Sequence, residues 1–159
     1  MKIRIISVGK IKEKYLRDGI AEYAKRLGKY CTLEQIEVQD EKTPDGAPPS
    51  IEEKIKMTEG ERILSHIRPS GHVILLDLGG RKMDSVQFAA YMESCAVNGI
   101  SAVDFVIGGS LGVSGEVRKR ADLRLSFSDM TFPHQLMKLI LTEQIYRSFR
   151  IRNHEPYHK

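Results

Sequence analysis

Val73-Ile74-Leu75-Leu76-Asp77-Leu78 decides the fold. A strand with one face in water alternates polar and apolar residues, whereas a continuous apolar run is expected of a strand covered on both faces. Val73–Leu78 is such a run, and it asks for helices above and below the sheet. Gly79 and Gly80 follow, and Asp84 stands where an N-cap would open a helix to about Asn98, with Gly99 past its end. Beyond that, Ala102–Ile107 reads as another strand, Gly115–Ala121 as a short helix and Leu123–Phe127 as a fifth strand. Pro133 suits the first position of a long last helix reaching about Ile151.

Toward the N-terminus the alternation continues. Lys2–Val8 is an Ile-rich strand, and Lys12–Leu27 carries Leu16, Ile20, Tyr23 and Leu27 at helical spacing. Thr32–Val38 is a second strand. Pro44, Gly46, Pro48 and Pro49 make 40–50 a loop, after which Ser50 reads as an N-cap with Glu53 at the capping-box position. Strands alternating with helices define an α/β fold, a parallel-type sheet with helices on both faces, in one domain over 1–159. The last helix bears Leu136, Met137, Leu139, Ile140, Leu141, Ile145, Tyr146 and Phe149, more than one core-facing stripe requires. Self-association as a homodimer is the expected way to cover the surplus.

Hydrophobic residues at 41% and charged residues at 29% are ordinary for a soluble globular chain. No apolar run approaches the ~20 residues that cross a bilayer, so no membrane partner is expected. Met1–Ile6 is charged too early for a signal peptide, and the cytoplasm is the expected location. Cys31 and Cys95 lie outside any CxxC or zinc spacing, so neither a metal nor a disulfide is expected. The net charge of +4 is unevenly spread. Residues 1–29 hold nine Lys/Arg against three acids, 34–61 hold nine Asp/Glu against three lysines, and the tail is basic again. Clustered cations suit a polyanion such as RNA, and they equally suit a solvated helix face.

Ligands of parallel sheets bind beyond the carboxyl ends of the strands, which singles out 79–83, 108–114 and 128–133. Gly108-Gly109-Ser110-Leu111-Gly112 ends a strand in a turn that is neither GxGxxG nor a P-loop. It serves a ligand's close approach or a tight turn alike. Leu125 through His134 (LSFSDMTFPH) joins hydroxyls, aromatics and a Pro-initiated helix, a setting for a flat ligand with polar edges. The positive end of that helix should lower the His134 pKa and favour a neutral imidazole able to accept a proton. Structural capping explains the same residues. Pro156-Tyr157-His158-Lys159 is an unusual terminus, readable as a frayed basic tail or as a functional one.

The set Ile6–Lys10, Glu22–Arg26, Glu59-Gly60, Phe105–Gly109, Leu125–Ser128, Thr131–His134, Glu143–Arg147 and Pro156–Lys159 resembles the ribosomal RNA large subunit methyltransferase H family, of the SPOUT class. The likeness runs the whole length, in order. It implies a C-terminal deep trefoil knot holding S-adenosylmethionine, with cofactor contacts at Leu76, Gly108, Phe127, Ser128, Asp129, Met130, Thr131 and Phe132. It also implies a homodimer acting on ribosomal RNA within the ribosome, at N3 of a pseudouridine in a large-subunit hairpin loop. His134, Arg147, Tyr157, His158 and Lys159 fall on its catalytic or substrate-handling positions, the tail reaching across to the partner's site. A non-catalytic RNA-binding module would share the basic N-terminal third but would not need the two loops to meet at one cavity.

Overall fold

Every strand and helix expected from the sequence forms, in the expected order. The computed structural model describes residues 1–159. The elements are β1 (Lys2–Val8), α1 (Lys14–Leu27), β2 (Thr32–Val38), α2 (Pro49–His66), β3 (His72–Lys82), α3 (Ser85–Val97), β4 (Ala102–Ile107), α4 (Gly115–Arg120), β5 (Leu123–Ser126) and α5 (His134–Arg152). One sheet of order β2-β1-β4-β3-β5 contains all five strands, and every pairing is parallel.

Strand pleating sorts the apolar residues between two cores. Ile3 and Ile5 of β1, Ile74 of β3 and Phe105 of β4 face Leu27, Phe88, Met92, Leu141 and Ile145, from α1, α3 and α5. Ile6, Val8, Val73, Leu75 and Val106 face Ile63 of α2 and Val117 of α4. The continuous apolar run of β3 is thus explained: its neighbouring residues belong to different cores.

Element ends depart from expectation in three places. Ser50 does not cap α2; it lies in the first turn, with Pro48 at the N-cap position and no side-chain cap. A missing cap costs ~1 kcal/mol, less than the ~1.5–3 kcal/mol from burying each of Ile55 and Ile63 on that helix, so packing decides the start. Pro133 stands at the N-cap of α5 rather than inside it. β3 runs on to Lys82, because after a register break between Leu76 and Arg81 it pairs again with β5, Arg81 opposite Leu125 and Lys82 opposite Ser126. Asp84 does cap α3, in a capping box with Gln87.

The apolar circumference of α5 is covered in part within the chain. α1 and α3 pack along its two sides and the sheet lies beneath, so no residue of α5 is exposed. Leu136, Met137, Leu139 and Ile140 nevertheless stay only half-buried within the chain.

On the α2 face a buried ion pair joins the two central strands. Arg4 donates to both carboxylate oxygens of Asp104, Nε at 2.6 Å and Nη2 at 2.5 Å, and Nη2 also donates to the His66 carbonyl at 2.9 Å. The two side chains are only 8% and 2% exposed. Breaking such a pair on one side strands a buried charge and costs ~3–5 kcal/mol. Asp104→Ala should therefore lower unfolding free energy by about that much in denaturant titration. Arg4→Met combined with Asp104→Leu should recover most of it, since no charge is then left behind.

Candidate active site

Because the strands are parallel, the carboxyl ends of β3, β4 and β5 deliver their loops to one edge of the sheet. A cavity of about 400 Å³ opens there, within the ~300–1,000 Å³ usual for small-molecule sites. Leu76, Gly108, Phe127, Ser128, Met130, Thr131, Phe132 and His134 all line it, from β3, the glycine turn, the segment after β5 and the start of α5. Asp129 does not: its side chain is exposed and pairs with Lys82 at 2.6 Å. Half of the lining residues are hydrophobic, the rest being loop glycines, hydroxyls and a few charged groups.

Local hydrogen bonds stiffen the walls. Ser126 Oγ donates to the Ser128 carbonyl (3.2 Å), and the Met130 N–H donates to Ser128 Oγ (3.0 Å). In the glycine turn the Gly112 N–H donates to the Gly109 carbonyl at 3.0 Å. Gly112 sits at φ +89°, where other residues are strained.

Of the two readings the sequence left open for Gly108, the structure supplies a reason within the tight turn itself. A Cβ there would stand 2.6 Å from Val113 Cγ1 and 3.0 Å from the Gly112 carbonyl oxygen, so the turn's own packing, before any ligand's approach, demands glycine. A Cβ on Gly109 would come 2.9 Å from Glu59 Oε1. Glu59 is a buried carboxyl beneath the turn, which accepts the Glu41 N–H at 3.0 Å and is pushed above the ordinary carboxylate range by burial.

Two further lining residues were not anticipated. Asp77, at the end of the apolar run, faces Arg118 at 3.5 Å and Arg124 at 3.4 Å, and accepts the Gly79 N–H at 3.2 Å. Arg118 lines the same cavity. In sequence Asp77 reads as one polar residue in a strand, and only the register break of β3 turns it to the site.

His134 opens α5 at the cavity wall. Burial is the main cause lowering its pKa below 6.5; Lys12 adds to this and Asp40 opposes it. The imidazole is therefore neutral near pH 7 and able to take a proton. The expected direction holds, with burial at the head of the causes.

Arg147, Tyr157 and His158 gather elsewhere. Along α5, at ~1.5 Å per residue, Arg147 lies about 20 Å from His134. The tail folds back against this far part of the helix. Tyr157 Oη donates to Glu143 Oε1 (2.9 Å), which also accepts from Arg147 Nε (3.0 Å) and Nη2 (2.6 Å). The Arg147 guanidinium sits 4.7 Å from the centre of the Tyr157 ring, and its Nη1 lies 3.2 Å from His158 Nδ1. Burial heads the causes that push the Tyr157 phenol up, so it stays protonated. Lys159 is exposed at the end. The tail is docked, not frayed, and its partners Glu143 and Arg147 lie about two to four turns along α5 from His134.

A family profile described as "Predicted SPOUT methyltransferase" matches residues 1–158. The chain belongs to this family. Among similar proteins, ribosomal RNA large subunit methyltransferase H 1 of Clostridium perfringens strain SM101 is 58% identical over 159 residues, covering 100% of both chains. Ribosomal RNA large subunit methyltransferase H of Desulfitobacterium hafniense is 57% identical over 100% of this chain and 99% of its own. The chain is one of the family's methyltransferase H group. Two solved structures share the fold at 13% identity. A probable methyltransferase from Bordetella pertussis has a TM-score of 0.55, over 92% of this chain and 95% of that one. A probable methylase family protein from Haemophilus influenzae has a TM-score of 0.53, over 96% of this chain and 66% of that one.

The packing at Gly108 yields a test in this family member. Gly108→Ala should destabilise the protein by ~1–3 kcal/mol, as overpacking does. In a double-mutant cycle with Val113→Ala, the two changes should couple favourably by at least ~0.5 kcal/mol. Simple additivity in thermal or chemical unfolding would remove the Gly108–Val113 contact as the reason for glycine.

Proposed function

We propose that the chain is an S-adenosylmethionine-dependent methyltransferase that modifies large-subunit ribosomal RNA, at N3 of a pseudouridine in a hairpin loop. It acts in the cytoplasm, as a homodimer, on assembled ribosomes. The observation that carries the reading is the single cavity made by the β3, glycine-turn and Ser126–Phe132 loops in a member of a methyltransferase family, with a neutral His134 at its wall. The relatives' names supply the ribosomal RNA substrate. The base position and the ribosomal context rest on the resemblance of the motifs.

The lining suits the cofactor. Leu76, Leu125, Phe127 and Ile107 offer apolar walls for a flat adenine, while loop backbone and the Ser128 and Thr131 hydroxyls offer polar edges. When bound, S-adenosylmethionine supplies an electrophilic methyl on a sulfonium whose sulfur leaves neutral, so no metal need activate it. The acceptor nitrogen carries a weakly acidic proton. His134 takes that proton, leaving the N–H electron pair on nitrogen as the nucleophile. The loops hold the reactants in line and exclude water. The knotted threading of a single domain rests on the resemblance of the motifs.

The homodimer rests on distance. Tyr157 and His158 are held at Glu143 and Arg147, about 14–20 Å along α5 from His134 in their own chain, which favours their serving the site of a second copy. An isologous pairing gives each site one chain's cavity and the other's tail.

Three measurements test this. Purified protein with S-adenosylmethionine should methylate ribosomes from cells lacking the gene, with mass mapping placing the methyl on the pseudouridine; a product elsewhere refutes the assignment. His134→Ala should lower turnover ~10²–10⁴-fold at unchanged cofactor affinity, and in wild type the acid limb of kcat/KM should fall below pH 6.5, because a depressed imidazole stays unprotonated to lower pH. Deleting Tyr157–Lys159 should abolish methylation yet leave cofactor binding intact. Mixing that variant with His134→Ala should restore part of the activity through one complete shared site. A verified mixed dimer without activity refutes the shared site.

A further inference from the structure

We infer that the polar cleft on the β1–β2 side of His134 seats the acceptor nucleotide, with Lys10 and Lys12 holding its phosphate and Asp40 supporting His134. The inference rests on the methyltransferase reading and adds the place where the RNA binds.

A transfer between two bound molecules needs two sites that meet at one reacting point. His134 lines the loop cavity, and it also lines a second cavity of about 570 Å³ between the β1–α1 segment and the end of β2. It is the one residue common to both. The two cavities differ in kind. Half of the first is apolar, whereas the second has Val38 as its one hydrophobic residue among nine. A cleft that polar suits a charged, hydrogen-bonding ligand.

Its floor is kept open by Gly9. The glycine has φ +84°, and a Cβ there would stand 3.9 Å from both the Asp40 carboxyl carbon and His134 Nε2. The carboxylate and the imidazole thus flank the same small space. The Gly9 N–H donates to the Val38 carbonyl at 2.9 Å, and the Lys12 N–H donates to Gln135 Oε1 at 3.0 Å, which ties the β1–α1 segment to the start of α5.

The charges around His134 divide in the same way. Glu37 is engaged by the buried Lys138 at 3.3 Å. Arg118, across the first cavity, is engaged by Asp77 at 3.5 Å. Lys10, Lys12 and Asp40 remain, all exposed at the cleft. Two uncommitted lysines at a cleft mouth are what a phosphodiester needs, and phosphate contacts fix the register of a nucleic acid. A base edge placed between Asp40 and His134 presents its ring N–H to the imidazole. Asp40 then acts through His134: its negative charge makes the imidazolium less costly to form, and it opposes the effect of Lys12 on the same ring. It is a positioning residue.

The test uses full-length protein, S-adenosylmethionine and ribosomes from cells lacking the gene. Lys10→Ala and Lys12→Ala should each raise KM for ribosomes about 10-fold, leaving cofactor Kd unchanged. Each should also reduce the slope of log(kcat/KM) against log[salt] by about 1. Asp40→Asn should lower turnover and move the acid limb to lower pH, because the carboxylate that raises the His134 pKa is gone. Unchanged KM and salt slope in both lysine variants, with an unmoved acid limb in Asp40→Asn, overturns the cleft while the methyltransferase reading stands. Loss of cofactor binding instead makes the cleft part of the donor site and overturns it too. A KM rise without a change in salt slope assigns the cleft to a ribosomal protein, again against the inference. If wild-type protein transfers no methyl to ribosomal RNA, the reading itself fails and takes the cleft with it.

Discussion

Burial of β1, β4 and β3 on both faces is the constraint from which the rest of the molecule follows. These strands carry apolar residues facing both ways, so helices must lie on each side of the sheet. Covering both faces while keeping neighbouring strands parallel forces each strand–helix connection to return to the same starting edge. Every carboxyl end then points one way, and the loops after β3, β4 and β5 converge without any special device. The buried Arg4–Asp104 pair adds little net stability if its desolvation is counted, but it pins β1 to β4 in a single register. A one-residue slip would bury one of those charges without its partner.

Close approaches of backbone then shape the cavity. Gly60 on α2 lies against the Ser114 side chain, where a Cβ would be 2.5 Å from Oγ. Gly80 lies against the β5 backbone, where a Cβ would be 2.6 Å from the Arg124 carbonyl carbon. Together with Gly108 and Gly109, these positions let elements meet at distances no side chain permits. A site walled in this way is rigid, which suits a reaction whose demand is alignment. Its electrostatics are equally spare. Asp77 is tied up by two arginines and Glu59 is sealed beneath the turn, which leaves His134 as the titratable group free to exchange a proton at the wall.

The long helix α5 separates the two groups of functional candidates. Its first residue is His134; its far half carries Arg147 and receives the tail through the Glu143–Arg147–Tyr157 cluster. A straight helix cannot bring its own ends together. Docking of the tail on its own chain holds Tyr157 and His158 against the far half of α5, while Lys159 stays exposed.

Much of this was legible in the residues themselves. Apolar continuity in Val73–Leu78, helical spacing from Leu16 to Leu27 and the Asp84 N-cap are local patterns, and local patterns set element type and order. Two of the three expected site loops, 108–114 and 128–133, were legible as well, because a parallel sheet leaves one place for a ligand; 79–83 does not line the cavity, and Leu76–Leu78 of β3 line it instead. What local pattern could not decide was which atoms meet. Ser50 lost its capping role to the packing of Ile55 and Ile63. Asp77 reached the cavity through a register break with a strand nearly fifty residues later in the chain. Asp129 turned out to Lys82, and the cover over α5 came from α1 and α3 of the same chain. Each of these is a contact between segments far apart in sequence, and its energy exists only once the sheet has placed them side by side. The sequence by itself determined an α/β chain with a glycine-walled site and a histidine at a helix start. Only the tertiary structure decided that Gly108 answers to Val113, that Asp40 faces His134 across Gly9, and that the tail docks on Glu143 and Arg147 of its own α5.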